Sequence, residues 1–260
     1  AIYKLPMQWT AKVIVYWLSF HALFSNAVNA QTNTMIAALI IGTFICIRSG
    51  REFWAALFVA AGLFIKLYGI VGLAFFFFTP NKIKFSLSFL FWCVVLFVLP
   101  MIVSSPQFIV QSYVDWYDSL VTKNVSNIDS VMQNISAIGM FQKVFRFINI
   151  PTLAILLPAI VLFALPYLRV DLYKDTRYQF GLLASVLIFV ILFSTGTESC
   201  TYIIAYGGFG IWFILQKRPY SKYVLFLLFF VLLLELMGSS DIAPSFVRKE
   251  IIRPYALKAL

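Results

Sequence analysis

Apolar residues fill the chain in long runs that alternate with short polar clusters rich in lysine and arginine. A run of about 20 apolar residues is the length that crosses a hydrocarbon core as a helix. The candidate spans are Val13–Val28, Thr32–Ile47, Phe53–Phe78, Phe85–Val103, Pro151–Leu168, Phe180–Ser194, Thr201–Leu215 and Tyr223–Met237. Between the fourth and fifth lies a long amphipathic stretch, Ser104–Asn149, and a more polar tail, Gly238–Leu260, follows the eighth. The pattern predicts an all-α fold: a polytopic bundle of transmembrane helices, one transmembrane domain over residues 1–260.

Two features interrupt the pattern. A polar knot, Asn29-Ala30-Gln31-Thr32-Asn33, opens the second run, and a single lysine, Lys66, sits inside the third. Amides at a membrane boundary and a lysine at membrane depth are costly to place, and by default they mark a site. The third run also decides the topology. If every run crossed once, the Arg48/Arg51 and Lys82/Lys84 clusters would fall on opposite sides, against the positive-inside rule. If Phe53–Phe78 enters and returns, the conflict disappears. Lys4, Lys12, Arg48, Arg51, Lys82, Lys84, Arg169, Lys174, Arg177, Lys217, Arg218 and Lys222 are then all cytoplasmic. The Ser104–Asn149 stretch and the Thr195–Ser199 turn become external. The expectation is a helical hairpin with Lys66, Tyr68 and Gly69 near its tip, in a protein-lined or water-filled cavity. The alternative is one tilted span from which Lys66 reaches to the interface.

Composition agrees with a membrane protein: 62% of residues are hydrophobic, 18% aromatic and only 12% charged. The runs are too many and too long for a signal peptide. The net charge of +10 is spread over short loops, which reads as topology signal and contact with lipid headgroups rather than nucleic-acid binding. Cys46, Cys93 and Cys200 show no paired spacing, so neither a disulfide framework nor a zinc site is expected. The one histidine, His21, lies inside an apolar run and reads as a packed or hydrogen-bonded residue. No metal or cofactor is expected. Ala1 does not look like a natural start nor Leu260 a natural stop, so a fragment of a longer protein is expected.

In the external stretch, Phe108, Ile109, Tyr113, Trp116, Tyr117 and Leu120 recur mostly at three- and four-residue steps, predicting an amphipathic helix on the membrane surface or over a cavity mouth. Further along, Gln133-Asn134-Ile135-Ser136 is followed by Lys143 and Arg146. Amides and cations beside apolar sequence suit a phosphate held at a membrane surface, and an interfacial basic helix would read the same way. The third polar knot is Thr195-Gly196-Thr197-Glu198-Ser199-Cys200-Thr201-Tyr202. Each knot also has a plain reading as a solvated turn. Glu235, near the outer end of the eighth span, either joins the knots or pairs with a tail arginine such as Arg248.

The pattern N-x-Q-x-N (Asn29, Gln31, Asn33), an apolar span, the basic turn Arg48/Arg51 and then Gly62-Leu63-x-x-Lys66-x-Tyr68 resembles the polyprenol-phosphate-mannose-dependent mannosyltransferases of the GT-C superfamily. The chain is similar in particular to the bacterial alpha-mannosyltransferases of glycosyltransferase family 87. The segment Gln133–Ser136 resembles that family's amide-serine motif, and Thr195–Tyr202 stands where the family has a late Ser-Pro-x-Ser-Trp-x-His type motif. Two departures are evident. The late histidine is absent, Glu198, Ser199, Thr201 and Tyr202 standing in its region. The essential aspartate of the first external loop of GT-C enzymes is expected to lie outside this fragment.

The resemblance implies an enzyme of the bacterial plasma membrane with its active site on the external face. It would transfer a hexose, mannose, from a polyprenyl-phosphate donor to a lipid or glycan acceptor. Inversion at the sugar would need a carboxylate base and cations on the leaving phosphate. The substrate-binding candidates are Asn29, Gln31, Asn33, Lys66, Tyr68, Asn134, Lys143, Arg146, Glu198, Thr201 and Tyr202. Lys66, Lys143 and Arg146 would face phosphate. Two competing readings stay open at this point: a transporter or flippase of a lipid-linked or anionic substrate, for which broken helices and a midplane lysine also fit, and a structural membrane subunit.

Overall fold

A computed structural model of the chain describes residues 1–128, 130, 132–148, 150–239 and 243–260. Residues 129, 131 and 149 of the expected external stretch, and 240–242 of the tail, lie outside the described residues. The described residues contain helices and turns and no strand. The α-helices are α1 (Trp9–Val28), α2 (Asn33–Arg48), α3 (Glu52–Ile65), α4 (Lys82–Val98), α5 (Pro106–Ile128), α6 (Ala137–Val144), α7 (Thr152–Ala164), α8 (Thr176–Leu192), α9 (Tyr202–Ile214) and α10 (Lys222–Ser239). Short polar side chains set several starts. Asn81 accepts from the Lys84 N–H at 2.9 Å, Ser136 from Gly139 at 3.1 Å, Asp175 from Tyr178 at 2.6 Å and Ser221 from Val224 at 3.2 Å. Each satisfies one of the N–H groups that a helix start leaves without an internal partner.

Among the described residues one continuous helix, Lys82–Ile102, is long and apolar enough to cross a bilayer; its 21 residues join α4 to the 3-10 turn Leu99–Ile102. The other apolar helices are shorter. The chain divides into two compact units, residues 1–5 with 38–127, and residues 6–37 with 128–260.

In the first unit the run Phe53–Phe78 is not one helix. α3 stops at Lys66, whose backbone is extended (φ −159°, ψ 129°), and a 3-10 helix, Leu67–Phe78, returns along it. The close approaches fix the direction of return. A Cβ on Gly69 would lie 2.2 Å from the Gly62 carbonyl carbon, and one on Gly72 would lie 2.9 Å from Val59 Cγ2. Each step away from the tip on one arm matches a step away on the other, so the arms are antiparallel. The glycines let the two backbones touch, which is why they face one another here. The single tilted span is thereby excluded, and the expected hairpin stands with Lys66 and Tyr68 at its turn. What the sequence did not indicate is that the second arm is 3-10.

Both ends of the hairpin lie at one side. Lys84 Nζ, at the start of α4, is 3.5 Å from Glu52 Oε2 at the start of α3. Trp92 donates its indole N–H to the Phe53 carbonyl at 3.1 Å. Phe44 and Phe75 pack edge to face in the fully buried centre. α5 follows α4 and is tied back by Tyr113, stacked on Phe97 at 4.6 Å between ring centres. Ile109, Tyr113 and Leu120 are partly covered, while Phe108, Trp116 and Tyr117 are exposed. The expected amphipathic helix is therefore present, with much of its apolar surface open.

In the second unit α8 and α9 form an antiparallel pair. Gly208 makes the approach possible, since a Cβ there would lie 2.7 Å from the Ala184 carbonyl oxygen. At one end of the pair Arg177 bonds the Leu215 carbonyl, beside Lys174, Lys217 and Arg218. At the other end the chain turns through Thr195–Thr201. α1 packs on α9 and on the turn Ser199–Thr201. Val15 meets the surface at Gly210, well along α9 from that turn, so α1 runs antiparallel to α9 and its C-terminal end reaches the turn.

Candidate functional site

The polar end of the second unit gathers two of the three knots by direct bonds. Asn134 is fully buried with a left-handed backbone (φ 51°). Its side-chain oxygen accepts from Ser136 Oγ at 2.8 Å, and its amide N–H reaches Gln142 Oε1 at 3.3 Å. Asparagine tolerates this backbone region better than most residues because its short polar chain bonds locally. Ser136 then caps α6. Gly139, one turn into α6, has no room for a side chain: a Cβ would stand 1.8 Å from the Asn134 carbonyl oxygen.

This turn docks on the Thr195–Tyr202 turn. The Ile135 N–H donates to the Thr197 carbonyl at 2.9 Å, and the Tyr202 hydroxyl donates to the Ile135 carbonyl at 2.9 Å. Thr197 is fully buried and donates to the Ile191 carbonyl at 2.8 Å, closing the end of α8. The hydroxyl of Thr201, also buried, accepts from the Glu198 N–H at 3.2 Å and donates to the Glu198 carbonyl at 2.7 Å. The Glu198 carboxylate is half-buried and has no ion pair among the described residues.

The first knot is held by a residue that the sequence pattern does not single out. Asn26, buried in the last turns of α1, donates its amide to the Gln31 carbonyl at 2.7 Å and to Thr34 Oγ1 at 2.9 Å. Asn29 is exposed and bonds back to the Ser25 carbonyl at 2.8 Å; Gln31 is half-buried and Asn33 fully buried. The antiparallel course of α1 brings this knot to the Ser199–Thr201 end.

The two cations Lys143 and Arg146 differ. Lys143 turns inward, its ammonium 2.9 Å from the Ser130 carbonyl, 3.0 Å from Gln133 and 3.5 Å from Asn134. Burial lowers its pKa from the usual lysine value. Arg146 is exposed, with its Nε toward the Lys143 carbonyl at 3.5 Å, so its guanidinium stays open to an anion. Lys66 and Tyr68 belong to the first unit, at the hairpin turn, with the Lys66 ammonium 5.4 Å from the Tyr68 ring centre.

A further charged cluster lies within the second unit. Glu235 is 3% exposed and meets His21 Nδ1 at 3.0 Å and Lys258 Nζ at 2.6 Å. His21 is thus a hydrogen-bonding residue, as expected. A tail partner of Glu235 is Lys258, which the chain carries inward where it reverses at Ala256 (φ 52°). Among the described residues no group of three or more His, Cys, Asp or Glu side chains comes together as metal ligands do. The site offers amides, hydroxyls, one carboxylate and cations: groups that bond sugar hydroxyls and balance phosphate charge.

The family model described as Glycosyltransferase family 87 matches residues 2–195. The chain belongs to glycosyltransferase family 87. It is therefore a glycosyltransferase, acting on a sugar donor and an acceptor, rather than a transporter or a structural subunit. The matched region holds Asn29–Asn33, Lys66, Tyr68, Asn134, Lys143 and Arg146, and ends before Glu198, Thr201 and Tyr202. No curated protein and no solved structure matches the chain.

Proposed function

We propose that this family 87 chain is a polytopic membrane glycosyltransferase that moves mannose from a polyprenyl-phosphate donor to a lipid or glycan acceptor on the non-cytoplasmic side. The observation that carries the reading is the separation of charge and polar knots in the second unit. The basic cluster lies at one end of the α8–α9 pair and the docked Asn134 and Thr197 turns at the other. α8 has 17 residues, about 25 Å of apolar helix between those ends. The positive-inside rule puts the basic end in the cytoplasm and the polar end across the bilayer.

The hairpin of the first unit obeys the same rule. Its 14-residue and 12-residue arms are about 21 and 24 Å long, so they carry Lys66 most of the way across an apolar layer of about 30 Å. In the second unit Arg146 then supplies positive charge on the non-cytoplasmic side, where a lipid phosphate would leave. Asn29, Gln31, Glu198 and the Asn134 turn supply bonds to sugar hydroxyls. The carboxylate base that takes the acceptor proton is assigned to none of these residues.

The test uses the complete gene product in membranes with radiolabelled polyprenyl-phosphate mannose. Label should pass to lipid or glycan and fall sharply in Arg146→Ala and Lys66→Ala. Transfer from a nucleotide sugar with no use of the lipid donor would sink the proposal.

A further inference from the structure

We propose that the ion pair Glu235–Lys258 positions the external site by holding Tyr202 beneath the Asn134 turn; this rests on the reading that the docked turns form the sugar-transfer site. α10 is apolar along nearly its whole length, and Glu235 is its only carboxylate. An ionisable group so placed is retained for a reason and has a partner. Here the partners come from two other elements: His21 of α1 at 3.0 Å and Lys258 of the tail at 2.6 Å.

Lys258 has a second contact. Its ammonium lies 4.8 Å from the centre of the Tyr202 ring, within cation–π range. The hydroxyl of the same ring donates to the Ile135 carbonyl at 2.9 Å, and the Ile135 N–H donates to Thr197 at 2.9 Å. One continuous path thus joins the buried carboxylate to the turn that carries Asn134. Gly238 leaves room for the lysine stem, since a Cβ there would come within 3.3 Å of Lys258 Cδ. A cavity of about 170 Å³ borders the pair, lined by Tyr202, Tyr206, Leu234 and Lys258 among others. The Tyr202 ring is 3% exposed, and beside its packing on Tyr206 it is held by the cation and by its hydroxyl bond.

A merely structural ion pair can be replaced by apolar residues of similar volume without loss of stability. The test is therefore the double variant Glu235→Leu with Lys258→Met, compared with Lys258→Arg, which keeps the cation. The reporter is Ile135→Cys in a background with Cys46, Cys93 and Cys200 replaced by serine, labelled with a membrane-impermeant maleimide. Melting should be unchanged in the double variant, while reporter labelling accelerates about tenfold through local opening. In the Ile135 background, transfer should fall about tenfold in kcat, with Lys258→Arg close to wild type. Tyr202→Phe should give the same fall and add little to the double variant. Wild-type labelling in the double variant would overturn the inference, and that readout does not depend on which sugar donor is used.

Discussion

Replacing Gly139 by alanine tests the docked turn at its tightest point. The new Cβ would stand 1.8 Å from the Asn134 carbonyl oxygen and 2.7 Å from its side-chain amide carbon. The first distance is more than about 1 Å shorter than any contact a packed core accommodates without backbone movement. Either α6 or Asn134 must shift. Asn134 is held by Ser136, Gln142 and Lys143, and the next residue by Thr197 and Tyr202. Losing two of those bonds costs about 2 kcal/mol, and weakening the Ser136 cap about 1 kcal/mol more. Together about 3 kcal/mol lowers the docked-to-undocked ratio about a hundredfold. Transfer of labelled sugar should fall, by up to that factor, with melting lowered as well. Wild-type transfer and melting in Gly139→Ala would refute the described packing of the turn.

Other outcomes follow from the same packing. Gly69→Ala places a Cβ 2.2 Å from Gly62 backbone, so the hairpin arms must separate; detergent-solubilised protein should lose about 2 kcal/mol of stability, read by fluorescence-detected melting. Lys84→Met leaves Glu52, whose side chain is 5% exposed, without its 3.5 Å partner and should cost about 1 kcal/mol, less than a fully buried pair because Lys84 is half-exposed. Burial depresses the Lys143 pKa below 10.5, so the folded state holds that proton more weakly than the unfolded one. Wild-type stability relative to Lys143→Met should therefore rise as pH approaches 10.5 and be least below the folded pKa; a melting difference independent of pH would contradict this.

The helices were legible because apolar runs bounded by charge are a strong signal. The hairpin followed from Arg48, Arg51, Lys82 and Lys84 needing one side. Its 3-10 arm was not legible, because apolar periodicity does not separate α from 3-10 winding over a run as uniformly apolar as Leu67–Phe78. The docking of Asn134 on Thr197 could not be read either, since backbone bonds between distant turns leave no periodic trace. Gly139 was the available hint: a glycine three residues after a capping serine implies a close backbone approach. Asn26 was hidden in an apolar run. Lys258 was hidden in a tail without periodicity.

The sidedness of transfer tests the central claim most directly. The complete gene product, reconstituted in sealed vesicles of one orientation, receives labelled polyprenyl-phosphate mannose and an impermeant acceptor on either side. The account predicts transfer only when the acceptor shares the side of Arg146 and Glu198, away from Lys174 and Lys217. Transfer to an acceptor confined to the Lys217 side would contradict it.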